Sequence, residues 1–259
     1  MAEPFRLVAW NIRAGGGHRA SRIAAALIDL SPDAVVLSEF RSTPPSQLIA
    51  TDLVAAGLIH QQSTCGEVPL GKNALLIAAG EPLKRVALHR RPAEPGRWRM
   101  VRLQRSGLAV GGMHIPNQHT GRKPGYHDAV AALAERWRGG PGLLVGDTNS
   151  GRIGADEETP VFNKRTDGWF GRMARAGWID GFRHLHPDQC EYTWYSHRGN
   201  GFRLDQVFLN RALTPYLRSV EHRWLGRSDQ RRDELSDHAA LIVDFAPLST
   251  PIGAMTGTP

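Results

Sequence analysis

The chain has 259 residues, 41% hydrophobic and 22% charged, the proportions of a folded protein and not of a low-complexity chain. Its 32 Lys and Arg against 25 Asp and Glu leave a formal charge of +7, which favours polyanionic partners: nucleic acid, anionic lipid or a phosphorylated small molecule. Only Cys65 and Cys190 occur, too few for a disulfide framework and not paired as zinc ligands, and no stretch approaches the roughly 18 apolar residues of a membrane span. Met1 to Leu7 carries no basic start ahead of an apolar run, so no secretion signal and a cytoplasmic location are expected.

In chain order, the apolar run Phe5 to Ile12 (FRLVAWNI) reads as a buried strand ending at the Gly15-Gly16-Gly17 turn. Ser21 to Leu30 follows with Ile23, Leu27 and Leu30 at helical spacing, and Ser31-Pro32 stops that helix. Asp33 to Phe40 (DAVVLSEF) is a second buried strand, and this strand–helix–strand opening points to an α/β protein. Further strands are predicted at Asn73 to Ala79, Arg99 to Gln104, Leu108 to His114, Gly142 to Gly146, Gly201 to Leu209 and Ala239 to Phe245. Helices are predicted at Tyr126 to Trp137 and Gly168 to Ala176. Several links between strands are too short for a crossover helix, so the sheets should be mixed. Residues 1–246 read as one domain, and 247–259, rich in Pro, Ser, Thr and Gly, as a disordered tail.

Polar residues collect at the ends of these strands. Asn11 closes the first, Glu39 the second, and His114 ends the run from Leu108. Asp147 and Asn149 follow Leu143-Leu144-Val145, Asp205 lies inside Phe202 to Leu209, and Asp237-His238 precedes the last strand. Singly, each could be a turn former. Asp205 is harder to dismiss, because a carboxylate within a strand must be paired. Open sheets bind ligands beyond their strand ends, and these residue types suit phosphodiester hydrolysis. Magnesium takes hard oxygen ligands, a carboxylate orients or deprotonates the attacking water, and a histidine held by an aspartate donates to the developing phosphorane.

These segments resemble the endonuclease/exonuclease/phosphatase superfamily, and within it exodeoxyribonuclease III and the apurinic/apyrimidinic (AP) endonucleases. The matching runs, in the family's order, are LVAWNIR (7–13), VVLSEF (35–40), GGMHIPN (111–117), GDTNSG (146–151), FRLDQVFLN (202–210) and LSDHAALIVDF (235–245). The stretch DGFRHLHPDQCEYTWYS (180–196) resembles the segment before the aspartate strand in the AP endonuclease branch. The resemblance implies a four-layer α/β/β/α sandwich of two mixed β-sheets and a Mg2+-dependent enzyme that could also use Mn2+. It implies Glu39 as main metal ligand with Asn11 and Asp237 nearby, Asp147 as the residue that orients or activates the attacking water, and Asn149 as the one that positions the phosphate. His238 would stabilise the transition state, oriented by Asp205. Trp194, Phe202 and Leu204 match the lining of a pocket for a flipped-out baseless sugar. Arg122 and Lys123 fall where the nucleases carry a DNA-contacting loop.

Departures bear on the substrate. His114 stands where AP endonucleases have tyrosine and where the deoxyribonuclease I, sphingomyelinase and inositol-phosphatase branches have histidine. Thr148 replaces a large apolar residue, the loop from Tyr192 to Phe202 is shorter than in the DNA-repair branch, and the segment after Asn149, running to Asn163, lacks a clear match. The expected protein is a monomeric nuclease acting on DNA. A phosphoesterase for a phospholipid, inositol phosphate or other small ester is the alternative, and an inactive binding module a third reading. Gly66 to Asn73 (GEVPLGKN) mimics a P-loop but precedes a strand, so it is read as a decoy. His184 and His186, beside Pro187, read as a surface turn, and Arg227 to Arg232 as a solvated loop.

Overall fold

The computed structural model describes residues 4–88, 91–226 and 235–248. The Arg227 to Arg232 cluster and residues 249–259 of the expected tail lie outside them; Leu248 is buried in the core. In chain order the elements are β1 (Phe5–Asn11), α1 (Ala20–Asp29), β2 (Ala34–Phe40), α2 (Pro44–Ala55), β3 (His60–Ser63), β4 (Ala74–Ala79) and β5 (Leu83–Arg85). There follow β6 (Trp98–Leu103), β7 (Ala109–His114), α3 (Lys123–Arg136), β8 (Gly142–Asp147), α4 (Lys164–Arg175) and β9 (Trp178–Asp180). The last are α5 (Gly181–Leu185), β10 (Trp194–Tyr195), β11 (Gly201–Phe202), β12 (Asp205–Asn210), β13 (Leu217–Arg223) and β14 (Ala240–Phe245).

Two six-stranded sheets form, one in the order β13-β14-β1-β2-β4-β3 and the other β5-β6-β7-β8-β12-β9. Each contains one parallel pair, β1 with β2 and β7 with β8, and is otherwise antiparallel. Alternation along β1 explains the layering. Leu7 and Ala9 face the second sheet and join Val36, Val110, Val145 and Val207 in the central core. Val8 and Trp10 face outward and pack with Ile23 and Leu27 of α1 and Ile49 and Leu53 of α2. On the opposite outer face Met113, Leu144 and Phe208 meet Val130 of α3 and Trp169 and Phe170 of α4. Each such fully buried aliphatic contributes about 1.5–3 kcal/mol. The result is the expected α/β/β/α sandwich of two mixed sheets. Among the described residues no helix is long and apolar enough to cross a membrane.

Close approach of the sheets explains Gly112, two residues before His114. A Cβ on Gly112 would lie 2.9 Å from Val36 Cγ1 on the facing sheet. Gly146, with φ +136°, has the same constraint within its sheet, since a Cβ there would fall 2.1 Å from the Met113 carbonyl oxygen. Glycine there lets β8 lie tightly beside β7 at the position that precedes Asp147.

One expected strand is corrected. Gly201 to Leu209 is two strands: β11 pairs with β10, and β12 pairs with β8 and β9. The break falls at Arg203 and Leu204. Arg203 turns its guanidinium into a buried pair of carboxylates, Asp156 and Asp180. Leu204 gives its carbonyl to the backbone N–H and the hydroxyl of Thr148 and its N–H to Thr193 Oγ1, so no ladder partner remains for it. Asp205 therefore opens a strand and does not sit inside one.

Candidate active site

β1, β2, β7 and β8 all end at one edge of the sandwich, and β12 begins there, antiparallel to β8 with Asp205 opposite Asp147. This edge gathers the polar strand ends. Asp205 Oδ2 and His238 Nδ1 are 2.8 Å apart, and both residues are buried. That bond orients the imidazole with Nε2 turned toward Asp147, 3.9 Å away. Burial works against an imidazolium at His238, but Asp205 and then Asp147 outweigh it and raise the pKa to about 10. Desolvation pushes the Asp147 carboxyl up to about 6, opposed by His238 and by hydrogen bonds from Asn149 and Asn11.

Asp147 is held on several sides. Asn11 Nδ2 donates to Oδ2 at 3.0 Å, Asn149 N to Oδ1 at 2.8 Å, and Asn149 Nδ2 to Oδ2 at 3.3 Å. His114 Nε2 stands 3.5 Å from the same Oδ2. Burial, then Arg97 and His238, push the His114 pKa well below the usual imidazole range, so this second histidine is neutral. Its Nδ1 is buried without a hydrogen-bond partner among the described residues. Asn149 takes a left-handed backbone, φ 47°, uncommon for a residue with a side chain.

Glu39, Asn11 and Asp237 surround the loop after β1. Glu39 sits at the β2 bulge with φ 57°, and its Oε2 accepts the Ala14 N–H at 2.7 Å. Asn11 Oδ1 accepts the Arg13 N–H at 3.0 Å, and Asp237 Oδ2 is 4.0 Å from Arg13 Nε. Among the described residues, Asp147, Asp205 and His238 have ligand atoms within 4.8 Å of one another, an acidic and histidine cluster in which His238, as an imidazolium bonded to Asp205, has no lone pair to offer a metal. Glu39 stands outside that cluster.

The remaining candidates divide. Trp194 stacks obliquely between His238 and Phe202, with ring centroids 6.5 and 5.9 Å away, and Phe162 meets Phe202 edge-on at 5.8 Å. Leu204 is buried beside them in sequence, its backbone tied to Thr148 and Thr193. Arg122 is exposed and paired with Glu94 at 3.2 Å. Lys123 is buried, and its Nζ donates to the Asn149 carbonyl; burial lowers its pKa to about 8, against the pull of Asp147. His184 and His186 sit at the end of α5, with His186 packed on Phe182.

Three supporting residues went unread in the sequence. Thr193 Oγ1 accepts from the N–H groups of Leu204 and Asp205. Ser236 Oγ donates to the Asn11 carbonyl at 2.5 Å and accepts from His238 N at 3.2 Å. Trp10 Nε1 donates to the His238 carbonyl at 2.8 Å. Each lies inside a quoted motif or beside a predicted site residue, which was the only signal available.

Residues 8–238 match the model of the Endonuclease/Exonuclease/phosphatase family, and the chain belongs to that family, whose members are hydrolytic enzymes. Its relatives include the exodeoxyribonuclease of Bacillus subtilis (strain 168), 26% identical over an alignment of 135 residues that covers 44% of this chain and 54% of that protein. The DNA repair nuclease APEX1 of Danio rerio is 34% identical over 91 residues, 30% of this chain and 29% of that one. The chain thus spans about half the length of the first relative in the matched region and less of the second. An AP endonuclease from Archaeoglobus fulgidus superposes with a TM-score of 0.78 at 18% identity, covering 93% of this chain and 99% of that one. The 3′ phosphatase NExo from Neisseria, bound to product DNA hairpin, does so with 0.73 at 22% identity and the same coverage. These two likenesses establish the fold.

Proposed function

We propose that the protein is a divalent-metal-dependent phosphodiesterase acting on DNA, of the AP endonuclease or 3′-exonuclease kind. The observation that carries this reading is the buried Asp205–His238 pair directed at Asp147, which Asn11 and Asn149 hold in place. A His238 imidazolium, fixed through Nδ1, would donate from Nε2 to a phosphoryl oxygen as charge builds there. Asp147 would orient the attacking water and accept its proton, and Asn149 would position the phosphate. Neutral His114 would hydrogen-bond the same phosphate or the water.

The donors around Glu39 fit a hard cation, since Glu39, Asp237 and the Asn11 amide all offer oxygen. Mg2+, or Mn2+ in its place, supplies charge neutralisation on the phosphate oxygens when bound. Trp194, Phe202 and Leu204 would receive the sugar of a baseless nucleotide, and the +7 charge favours the duplex. Arg122 would contact the DNA backbone after giving up Glu94, and the protein would act in the cytoplasm as a monomer.

A second reading, hydrolysis of a small phosphoester, draws on His114, which puts a second imidazole beside Asp147. The deciding experiment supplies an abasic-site duplex, an intact duplex, single strands and a small phosphodiester, with magnesium and with chelator. Cutting of DNA that needs the metal, weakens steeply with salt and vanishes in Asp147→Asn supports the nuclease. Turnover of the small ester alone, indifferent to salt, replaces it with the second reading.

A further inference from the structure

The turn that carries Asp147 and Asn149 is gripped from one side by α3. Lys123 and His127 are one turn apart on that helix and so share a face. Lys123 Nζ donates to the carbonyl of Asn149, and His127 Nε2 is 3.0 Å from Ser150 Oγ. Ser150 Oγ in turn donates to the Thr148 carbonyl at 2.8 Å, and the His127 ring lies flat on Trp169, 4.3 Å away and 7° from parallel. Two side chains of one helix therefore bind two successive residues of the turn, at the point where Asn149 is left-handed. Lys123 is only 7% exposed. An ammonium withdrawn from water needs fixed acceptors, and an amine already committed to a buried carbonyl is poorly placed to meet a phosphate in solution.

We infer that Lys123 and His127 form a clamp that holds the Asp147–Ser150 turn in its working conformation, with Lys123 a positioning residue that acts through Asn149 and not a phosphate contact. The kinetic part of this inference rests on the nuclease reading; the conformational part does not.

The test compares the full chain with Lys123→Met, Lys123→Gln and His127→Phe, the last keeping a ring on Trp169 but losing the bond to Ser150. Amide hydrogen exchange at residues 148–151 is expected to quicken in all three, while the β8 amides keep their protection. On a cleaved duplex, kcat falls by about 10- to 100-fold in the Lys123 variants, the size of effect produced by slight misplacement of reacting groups. KM stays near the wild-type value, and the slope of log Kd against log salt is unchanged. A lysine touching a phosphate would take about 0.9 off that slope. Unaltered exchange at 148–151, or a slope reduced by one contact, overturns the clamp. If the wild type cuts no DNA, the nuclease reading falls, and the exchange data still decide the clamp. Two substitutions at Lys123 guard against one that fails to fold.

Discussion

At the scale of single residues, the proposed chemistry rests most heavily on His238. It is buried between two carboxylates, one bonded at 2.8 Å and the other 3.9 Å away, and they hold it as a cation with a pKa near 10. His238→Gln can still bond Asp205 but cannot carry charge. Its kcat should fall by about 10²- to 10³-fold, the usual cost of losing one preorganised donor at a developing anion. Losing the cation between two buried carboxylates should also lower the thermal midpoint at pH 7, by more than the roughly 4 °C that ~1 kcal/mol moves a domain of this size. Steady-state kinetics at a temperature where both proteins are folded, beside a melting curve, checks both, and a kcat near the wild-type value in the folded variant would make His238 a structural residue.

The site was legible at this scale because strand ends announce themselves: Asn11, His114 and Asp147 each terminate an apolar run. Second partners were not legible. That Lys123 reaches Asn149, or that Thr193 holds the backbone at Leu204 and Asp205, depends on which loops meet, and no local pattern encodes that.

At the scale of elements, Arg203 decides where a strand stops. It is fully buried, bonded to Asp156 at 2.9 and 3.1 Å and to Asp180 at 2.5 and 3.3 Å, and packed over Phe182. Arg183 joins Asp156 at 2.6 Å, and Asp180 caps α5 through the Arg183 N–H. The network ties the segment after Asn149 to α5 and to the start of β12. Arg203→Met would leave two carboxylates buried with too few partners, so urea unfolding should show a loss of about 3–5 kcal/mol. A loss under ~1 kcal/mol would mean that water reaches Asp156 and Asp180 in solution.

This is also where periodicity misled. Phe202 to Leu209 alternates acceptably for a single strand, and a buried arginine inside it gives no warning of a change of sheet. Other elements passed unread for simpler reasons. α2 buries only Ser46, Ile49 and Leu53, too narrow a stripe to stand out. β3 is polar and half-exposed, and β13 mixes charged with apolar residues along an edge of its sheet. The long, apolar strands were placed within one or two residues, because central strands of a sandwich are buried on both faces.

At the scale of the whole molecule, buried histidines set the response to pH. Burial, then Lys123 and Arg165, lower His127 to about 3. Burial, then Arg203, lower His222 to about 4, with Asp205 pulling the other way. Both are neutral when folded and bind a proton on unfolding below about pH 6.5. Their stabilisation is therefore complete above 6.5 and is lost as pH falls toward 4. His114, held well below the usual imidazole range by burial, acts in the same direction, and Asp147, raised to about 6, opposes all three between about 6 and 3.8, one proton against three. Each net proton is worth about 1.4 kcal/mol per pH unit. His238 acts on the other flank: its raised pKa stabilises fully below 6.5, and the benefit fades as pH climbs through about 10. Urea midpoints of the metal-free protein should therefore peak near neutrality and drop on both sides. A midpoint that holds constant from pH 7 to 5 would show that the buried histidines take up their protons without unfolding.

The central claim is that Glu39, Asp147 and His238, from three separate elements, serve one cation and one phosphate. Diffraction from crystals soaked in manganese and a phosphate-containing ligand, read from the anomalous signal, tests it directly. The account predicts a manganese peak bonded to a Glu39 carboxylate oxygen, with a phosphate oxygen on the same ion and another within hydrogen-bonding distance of His238 Nε2. A peak at a distant surface site, with Glu39 free of metal and the phosphate away from His238, would contradict it.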